Sequence, residues 1–296
     1  MSENPLPLEK ENEVYSRKSW WGEVWGRLYL NKMAMAGLAI LIILVLAAIF
    51  ADAIAPFGYD DQNLNETFLR PSLSHLFGTD NFGRDIFSRI LYGARISLTV
   101  GLFSVSISVV AGGLLGAVSA YYGHMTDNVI MRLVDVFLAI PGILLSISIA
   151  SALGPGLMNM MIAVGIGSLP TYARVTRAAV LSIKEQEFIE AAVSVGASNF
   201  RVILRHILPN CLAPIIVQAT LGVASAILVA ASMSFIGLGL EPPTPEWGAM
   251  LSVGRPFIRD HWHIVTFPGI MIMFTIFALN VFGDGLRDAL DPRLKR

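Results

Sequence analysis

Polar and apolar residues are segregated along this chain into long blocks, not into the short alternating runs of a half-buried sheet. Stretches free of Asp, Glu, Lys, Arg and His cover residues 33–51, 96–123, 136–173, 207–240 and 264–283. Each reaches the roughly 20 apolar residues that cross the core of a bilayer. The third is too long for one crossing. Gly154-Pro155-Gly156 near its middle favours a turn, so it reads as two crossings joined by a tight hairpin. The pattern predicts six transmembrane helices, and therefore an all-α integral membrane protein.

The first block has a small-x-small motif at its end, Ala51-Asp52-Ala53, of the kind cut by signal peptidase. A long polar tail precedes the block, and the block exceeds the usual 7–15 apolar residues of a signal peptide. It reads as an uncleaved anchor. Just before it, Trp21, Val24, Trp25 and Leu28 recur at helical spacing, with Arg27 and Lys32 off that face. Residues 19–32 are thus expected to form a short amphipathic helix in the headgroup layer.

Composition sharpens the picture. Of 296 residues, 54% are hydrophobic and only 15% charged, against about 25% charged in a soluble domain, which disfavours a soluble globular enzyme. A net charge of −1 gives no reason to expect nucleic acid as a partner. Cys211 is the one cysteine, so an intrachain disulfide and zinc sites built on several cysteines are excluded. Six of the 21 Lys and Arg residues fall on one side of the six-span layout: Arg70, Arg84, Arg89, Arg95, Arg255 and Arg259. The rest fall on the side of the termini, which the positive-inside tendency makes the cytoplasm.

The resulting plan has a cytoplasmic tail with its interfacial helix (1–32), a first span (33–55) and an extracytoplasmic loop (56–95). A five-span core (96–286) carries a long cytoplasmic segment, 174–209, and a cytoplasmic tail (287–296) follows. Two outer loops are large. One mixes Asp60, Asp61, Glu66, Asp80 and Asp85 with Arg84, Arg89 and Arg95; the other carries Glu241-Pro242-Pro243-Thr244-Pro245-Glu246-Trp247. Prolines at that density impose an extended path. Long ordered loops are often functional, so Arg84, Asp85, Arg89, Pro243, Glu246 and Trp247 are the candidates for docking a partner outside the membrane. The competing reading pairs Arg84 with Asp80 or Asp85 inside its own loop.

The sequence carries no phosphate-binding G-x-x-x-x-G-K-[ST], no H-E-x-x-H and no G-x-S-x-G nucleophile motif, so no catalytic residue and no metal ligand is assigned. His261 and His263 form an H-x-H pair beside Trp262, read as interfacial loop rather than metal site. Gly112 and Gly116 permit close helix packing. Charge inside the spans is almost nil. Asp135, three residues after Arg132, is read as a local i, i+3 pair. The chain has the build of a transporter without an energy source of its own.

Between the fourth and fifth spans, 184–195 reads as a helix with Phe188, Ile189, Ala192 and Val193 on one face and Glu185 and Glu187 in its first turn. Gly196 suits the position just past the helix end, where a left-handed conformation costs glycine nothing. Ser198 is placed to cap a second helix through Phe200, Ile203 and Ile207, and Pro209 marks the start of the fifth span. Ala191 and Ala192 offer a surface small enough to fit a groove; the alternative is a plain loop packed on its own spans.

These residues resemble a known family. Glu190-Ala191-Ala192-x₃-Gly196, followed by Leu208-Pro209, resembles the EAA loop of prokaryotic ABC-importer permeases, and Arg205-His206-x-x-Pro209-Asn210 resembles the variant found in the dipeptide, oligopeptide and nickel subfamily. His206 departs from the looser consensus, which has an aliphatic residue there. Three more segments are similar to that subfamily: the one from Phe77-Gly78-Thr79-Asp80 through Ser97-Leu98, Gly237-Leu238-Gly239-x₂-Pro242-Pro243-x-Pro245-Glu246-Trp247-Gly248, and Gly283-Asp284-Gly285-Leu286-Arg287-Asp288-x₂-Asp291-Pro292. The first span with its lead-in resembles the "C" permease.

The resemblance implies a type I ABC-importer permease fold in a prokaryotic cell membrane. It implies a second homologous permease, two ABC ATPase subunits, an extracytoplasmic substrate-binding protein and a peptide cargo. ATP and Mg²⁺ would sit on the ATPases, with no cofactor on this chain. Glu190, Ala191, Ala192, Gly196, Leu208 and Pro209 would form the element that couples to an ATPase, with Glu190 either meeting a basic or amide group there or capping the local fold. Nickel or a nickel chelate is the alternative cargo. A membrane-embedded hydrolase and a self-sufficient channel are the readings outside the family.

Overall fold

A computed structural model describes residues 20–291. The tail at 1–19 and residues 292–296, with Lys10, Arg17, Lys18, Arg293, Lys295 and Arg296, lie outside the described residues. The described residues form helices and connecting segments, with no strand beyond one isolated bridge between Thr79 and Asp85.

Helix α1 (Trp20–Leu30) ends one residue before α2 (Lys32–Ile49). Asn31 separates them and caps α2, accepting from the Ala34 amide at 3.1 Å. On α1, Val24 and Leu28 are buried against Ala289 and the Phe282–Leu286 side of the last helix, whereas Trp25 and Tyr29 are exposed. The amphipathic character expected from the sequence is present, but the apolar residues divide between a protein-facing pair and an outward aromatic. A single turn, α3 (Ala51–Ile54), closes α2.

Helix α4 (Ile86–Tyr122) starts well before residue 96, the expected start of span two. Asp85 is the reason: its carboxylate accepts the Ser88 amide at 2.7 Å and sets the helix start upstream of Arg89 and Arg95. Arg95 then reaches the end of α2, donating to the Ala48 and Ile49 carbonyls at 3.0 and 3.1 Å, where a cation suits the helix C-terminus.

The third expected span is not one straight helix. Helix α5 (His124–Leu138) and helix α6 (Gly142–Leu153) meet at 88° around Pro141. Twelve residues of α6 rise only about 18 Å, short of the roughly 30 Å core. The turn at 154–156 is present, with Gly154 and Gly156 at φ +81° and +139°. Helix α7 (Leu157–Ile183) continues past the expected boundary at 173 and carries Arg174 and Arg177 on its last turns.

After helix α8 (Glu187–Ser194), α9 (Asn199–Arg201) runs through a π-helical stretch, Val202–Ile207, and a 3₁₀ turn, Leu208–Cys211, into α10 (Leu212–Phe235). Pro209 therefore does not begin the span; the helix runs through it from Asn199. Proline lacks an amide and crowds the carbonyl four residues back, and the widened π turn before it accommodates both effects. Helix α11 (Trp247–Gly254) precedes α12 (His263–Leu290), which passes residue 286 and takes in Arg287.

Four helical runs are long and apolar enough to cross a membrane: Lys32–Ile49, Ile86–Tyr122, Asn199–Phe235 and His263–Leu290. The bent α5–α6 pair makes a fifth if it counts as one span. Helix α7 has the length but not the apolarity, because Asn159, Ser168, Thr171, Arg174 and Arg177 interrupt it.

Glycines set the closest helix contacts. A Cβ on Gly112 would lie 2.5 Å from the Leu169 carbonyl oxygen, and one on Gly116 would run into that of Ala173. Helices α4 and α7 thus touch backbone to backbone, running parallel, and Ser108 adds a 2.7 Å hydrogen bond to the Gly165 carbonyl. Around this pair, Val100, Val105, Met160, Val164, Tyr172, Ala226 and Met233 form the principal core.

Candidate coupling surface and outer segment

Helix α8 stands on a firm base. Ile189 packs with Val202, Ile203, Ile207 and Cys211 against Ala117, Ala120 and Val180 of α4 and α7. Lys184 donates to the Ala120 carbonyl at 3.2 Å, and Tyr121 donates to Asn199 at 2.9 Å. The helix ends in a Schellman turn. The Gly196 amide donates to the Val193 carbonyl at 2.9 Å and the Ala197 amide to that of Ala192 at 3.1 Å. Gly196 has φ +82°, as its position demanded.

The two alanines point in opposite senses. Ala192 faces inward beside Ile189, while Ala191 is exposed together with Glu187, Glu190 and Ser194. The outward side of this element also shows Phe188, Val193, Val195 (85% exposed) and Phe200 (73% exposed). Phe188 and Val193 thus leave the buried face that the sequence suggested, and Phe200 does not join Ile203 and Ile207 beneath the second helix. Phe188, Val193 and Val195 lie outside the spans, where clustered exposed apolar side chains mark an interaction surface, and Phe200 stands at the start of the Asn199–Phe235 run beside them. Ser198 holds the capping position by backbone conformation alone, its hydroxyl accepting no hydrogen bond from the helix amides. Leu208 is half-buried and Pro209 exposed.

On the far side, the outer candidates are drawn together, but mostly inward. The Arg84 Nε donates to Asp80 Oδ2 at 2.7 Å, and Asp80 also accepts the Phe82 and Arg84 amides at 2.8 and 3.0 Å. Arg89 donates to the Tyr59 carbonyl at 2.6 Å and to the Pro243 carbonyl at 3.1 Å, tying the two outer loops to each other. His75 Nδ1 lies 2.9 Å from Asp85 Oδ1. Glu246 caps α11 through the Gly248 and Ala249 amides at 2.9 and 2.8 Å, and Trp247 donates to the Ile90 carbonyl at 3.1 Å.

Arg84, Asp85, Arg89, Glu246 and Trp247 are all buried, and only Pro243 of the six is exposed. The expectation that the five present themselves directly to a partner is revised on that ground, since their polar atoms are taken up inside the chain. Near α5 another expectation changes. Asp135 pairs with Arg174 of α7 at 2.6 Å, not with Arg132, and Asp127 is gripped by Arg177 through bonds of 2.7 and 2.6 Å. Sequence spacing pointed to the nearest cation; the α5–α7 contact supplied a different one. His263 is buried, its Nε2 3.3 Å from the Thr79 carbonyl, and His261 stacks on Phe68.

Residues 108–296 match the family described as binding-protein-dependent transport system inner membrane component. Residues 19–71 match the N-terminal transmembrane domain of oligopeptide transport permease C. The chain is 49% identical to a dipeptide transport system permease protein DppC of Alkalihalophilus pseudofirmus, over 96% of this chain and 93% of the relative. It is 47% identical to the glutathione transport system permease protein GsiD of Escherichia coli, over 99% and 96%. Among solved structures, the inward-facing MetNI methionine ABC transporter superimposes with a TM-score of 0.55 at 18% identity, over 69% of this chain and 96% of that one, a likeness of fold.

Proposed function

The chain belongs to the binding-protein-dependent transport system inner membrane components, as a permease subunit of an ABC importer, and we propose that it imports short peptides and couples to a cytoplasmic ATPase through α8. The observation that carries the coupling is the exposed small-residue and apolar side of α8, held rigidly on the ends of α4 and α7. ATP draws two ATPase subunits together. Each presses on its permease, and the base of α8 passes the movement into α4, α7 and α10. This chain performs no bond chemistry; ATP and Mg²⁺ reside on the partners.

The remaining assembly follows the family. A second homologous permease completes the path, and an extracytoplasmic binding protein delivers the cargo. The buried outer residues frame the surface that this protein meets, with Pro243 at its edge. We count six crossings, taking the bent α5–α6 pair and α7 as the third and fourth, with both termini cytoplasmic. The dipeptide and glutathione relatives both support short peptide cargo, glutathione being itself a tripeptide.

The test is to purify the complex through this chain and identify what the copurifying binding protein holds, then to measure ATP-driven uptake of that compound in proteoliposomes. A short peptide in the binding protein and its uptake support the assignment. A nickel chelate there, with no peptide uptake, overturns the cargo.

A further inference from the structure

The break between α5 and α6 exposes what a lipid-facing surface does not tolerate. Residues 139–142 are exposed, and among the described residues no hydrogen bond reaches the carbonyls of Ala139 or Ile140. The depth of this break follows from two rulers. Helix α6 carries the chain about 18 Å from the turn at 154–156. Gly142 also lies level with Gly167 of α7: a Cβ on Gly167 would sit 3.0 Å from the Gly142 carbonyl oxygen. Both place the break inside a core about 30 Å thick. Irregular backbone at that depth persists only where protein covers it or water fills a cavity beside it.

The neighbouring side chains decide between those two. Asp135, whose carbonyl accepts the Ala139 amide at 3.0 Å, pairs with Arg174 at 2.6 Å, and the two side chains are 54% and 56% exposed. Thr171, one turn before Arg174, is exposed as well. Packing a half-exposed ion pair into a dry subunit contact carries a desolvation penalty of several kcal/mol per ion, whereas water leaves it solvated. Arg174 lies seven residues, about 10 Å, along α7 from Gly167 toward the cytoplasmic end, and exposed ionisable groups along a membrane helix mark substrate pathways.

We propose that the α5–α6 break and the Asp135–Arg174 pair line the water-filled translocation path and form a contact site for the charged ends of a zwitterionic peptide. The carboxylate of Asp135 complements an α-ammonium, and the guanidinium of Arg174 complements a terminal carboxylate. The proposal rests on the importer reading and adds the site to it.

The test uses the assembled importer carrying Cys211→Ala and Ile140→Cys, with Ala139→Cys as a second position. A methanethiosulfonate reagent bearing a quaternary ammonium is applied with and without ATP. Val195→Cys, exposed on α8, reports reagent competence, and Ile43→Cys on the unbroken apolar helix α2 reports a dry position. The expected results are labelling at 140 or 139 in at least one nucleotide state, none at 43, and loss of glycylglycine uptake once labelled. No labelling at either position while 195 reacts, or labelling that leaves uptake intact, overturns the proposal. The complex carrying Cys211→Ala alone is assayed first, and one that moves no peptide fails the importer reading instead, so the two failures are separable.

Discussion

Arg84 and Asp80 lock together in the outer segment, Nε to Oδ2 at 2.7 Å, with side chains only 2% and 6% exposed. Removing one partner from a buried pair costs up to about 3–5 kcal/mol, and here Arg89, 3.8 Å from Asp80 Oδ2, offsets part of that cost. Arg84→Ala should therefore lower the thermal unfolding midpoint of the purified complex and the amount of chain in the membrane, at high and low salt alike. An exposed docking arginine would behave differently. It would leave stability untouched and weaken binding-protein stimulation mainly at low ionic strength, where exposed charges act over distances beyond about 10 Å.

The α4–α7 contact gives a graded pair of substitutions. A Cβ on Gly116 meets the Ala173 carbonyl, while one on Gly113 finds its nearest neighbour, Thr176 Oγ1, at an ordinary 3.7 Å. Gly116→Val should destabilise by about 1–3 kcal/mol or more through overpacking. Gly113→Ala should be neutral or slightly stabilising, since alanine favours helix by up to about 1 kcal/mol. Thermal unfolding in detergent separates the two.

Gly196 isolates conformation from crowding. Its φ is +82°, and a Cβ there would meet nothing within 4 Å. Gly196→Ala should cost about 1–2 kcal/mol in the turn alone, and Gly196→Asn less, because asparagine tolerates the left-handed region. Reduced ATPase recovery on purification, in the order Gly, Asn, Ala, is the expected readout.

The outcome at individual residues shows what was legible beforehand. Gly196 was readable because helix termination is local chemistry written over a few residues. So were the turn at 154–156 and the apolar blocks of α2 and α12. Asp85 as the cap of α4 was not readable, since the apolar pattern starts downstream of the true helix start and a cap is a single side chain among several acidic ones. The partner of Asp135 was not readable for a related reason: Arg174 lies 39 residues away, and only the packing of α5 on α7 brings it closer than Arg132. The burial of Arg84, Arg89 and Trp247 was hidden because charge in a polar loop reads as surface until two loops are seen to share it. The orientation of Ala191 and Ala192 depended on which side of α8 meets α4, α7 and the π-helical stretch, which periodicity alone did not fix.

Sidedness has its own test. In a Cys211→Ala background, Asn63→Cys and Thr244→Cys should react with an impermeant thiol reagent in intact cells, or in spheroplasts where an outer membrane intervenes. Ser198→Cys should react only after permeabilisation. Asn63 and Ser198 are exposed and Thr244 partly so, which gives the reagent access. Labelling of 198 alone in intact cells would invert the topology.

Coupling runs through the outward side of α8, and Ala191 is the residue that probes it with least disturbance to the fold. Its side chain is exposed, unlike that of Ala192, so a tryptophan there intrudes on a partner and not on the chain's own core. The decisive measurement is ATP-driven peptide uptake and ATPase copurification for Ala191→Trp, with the thermal midpoint of the inserted chain as control. The predicted result is an unchanged midpoint together with lost uptake and lost ATPases. Full uptake with both ATPases bound would contradict the assignment of α8 as the coupling element.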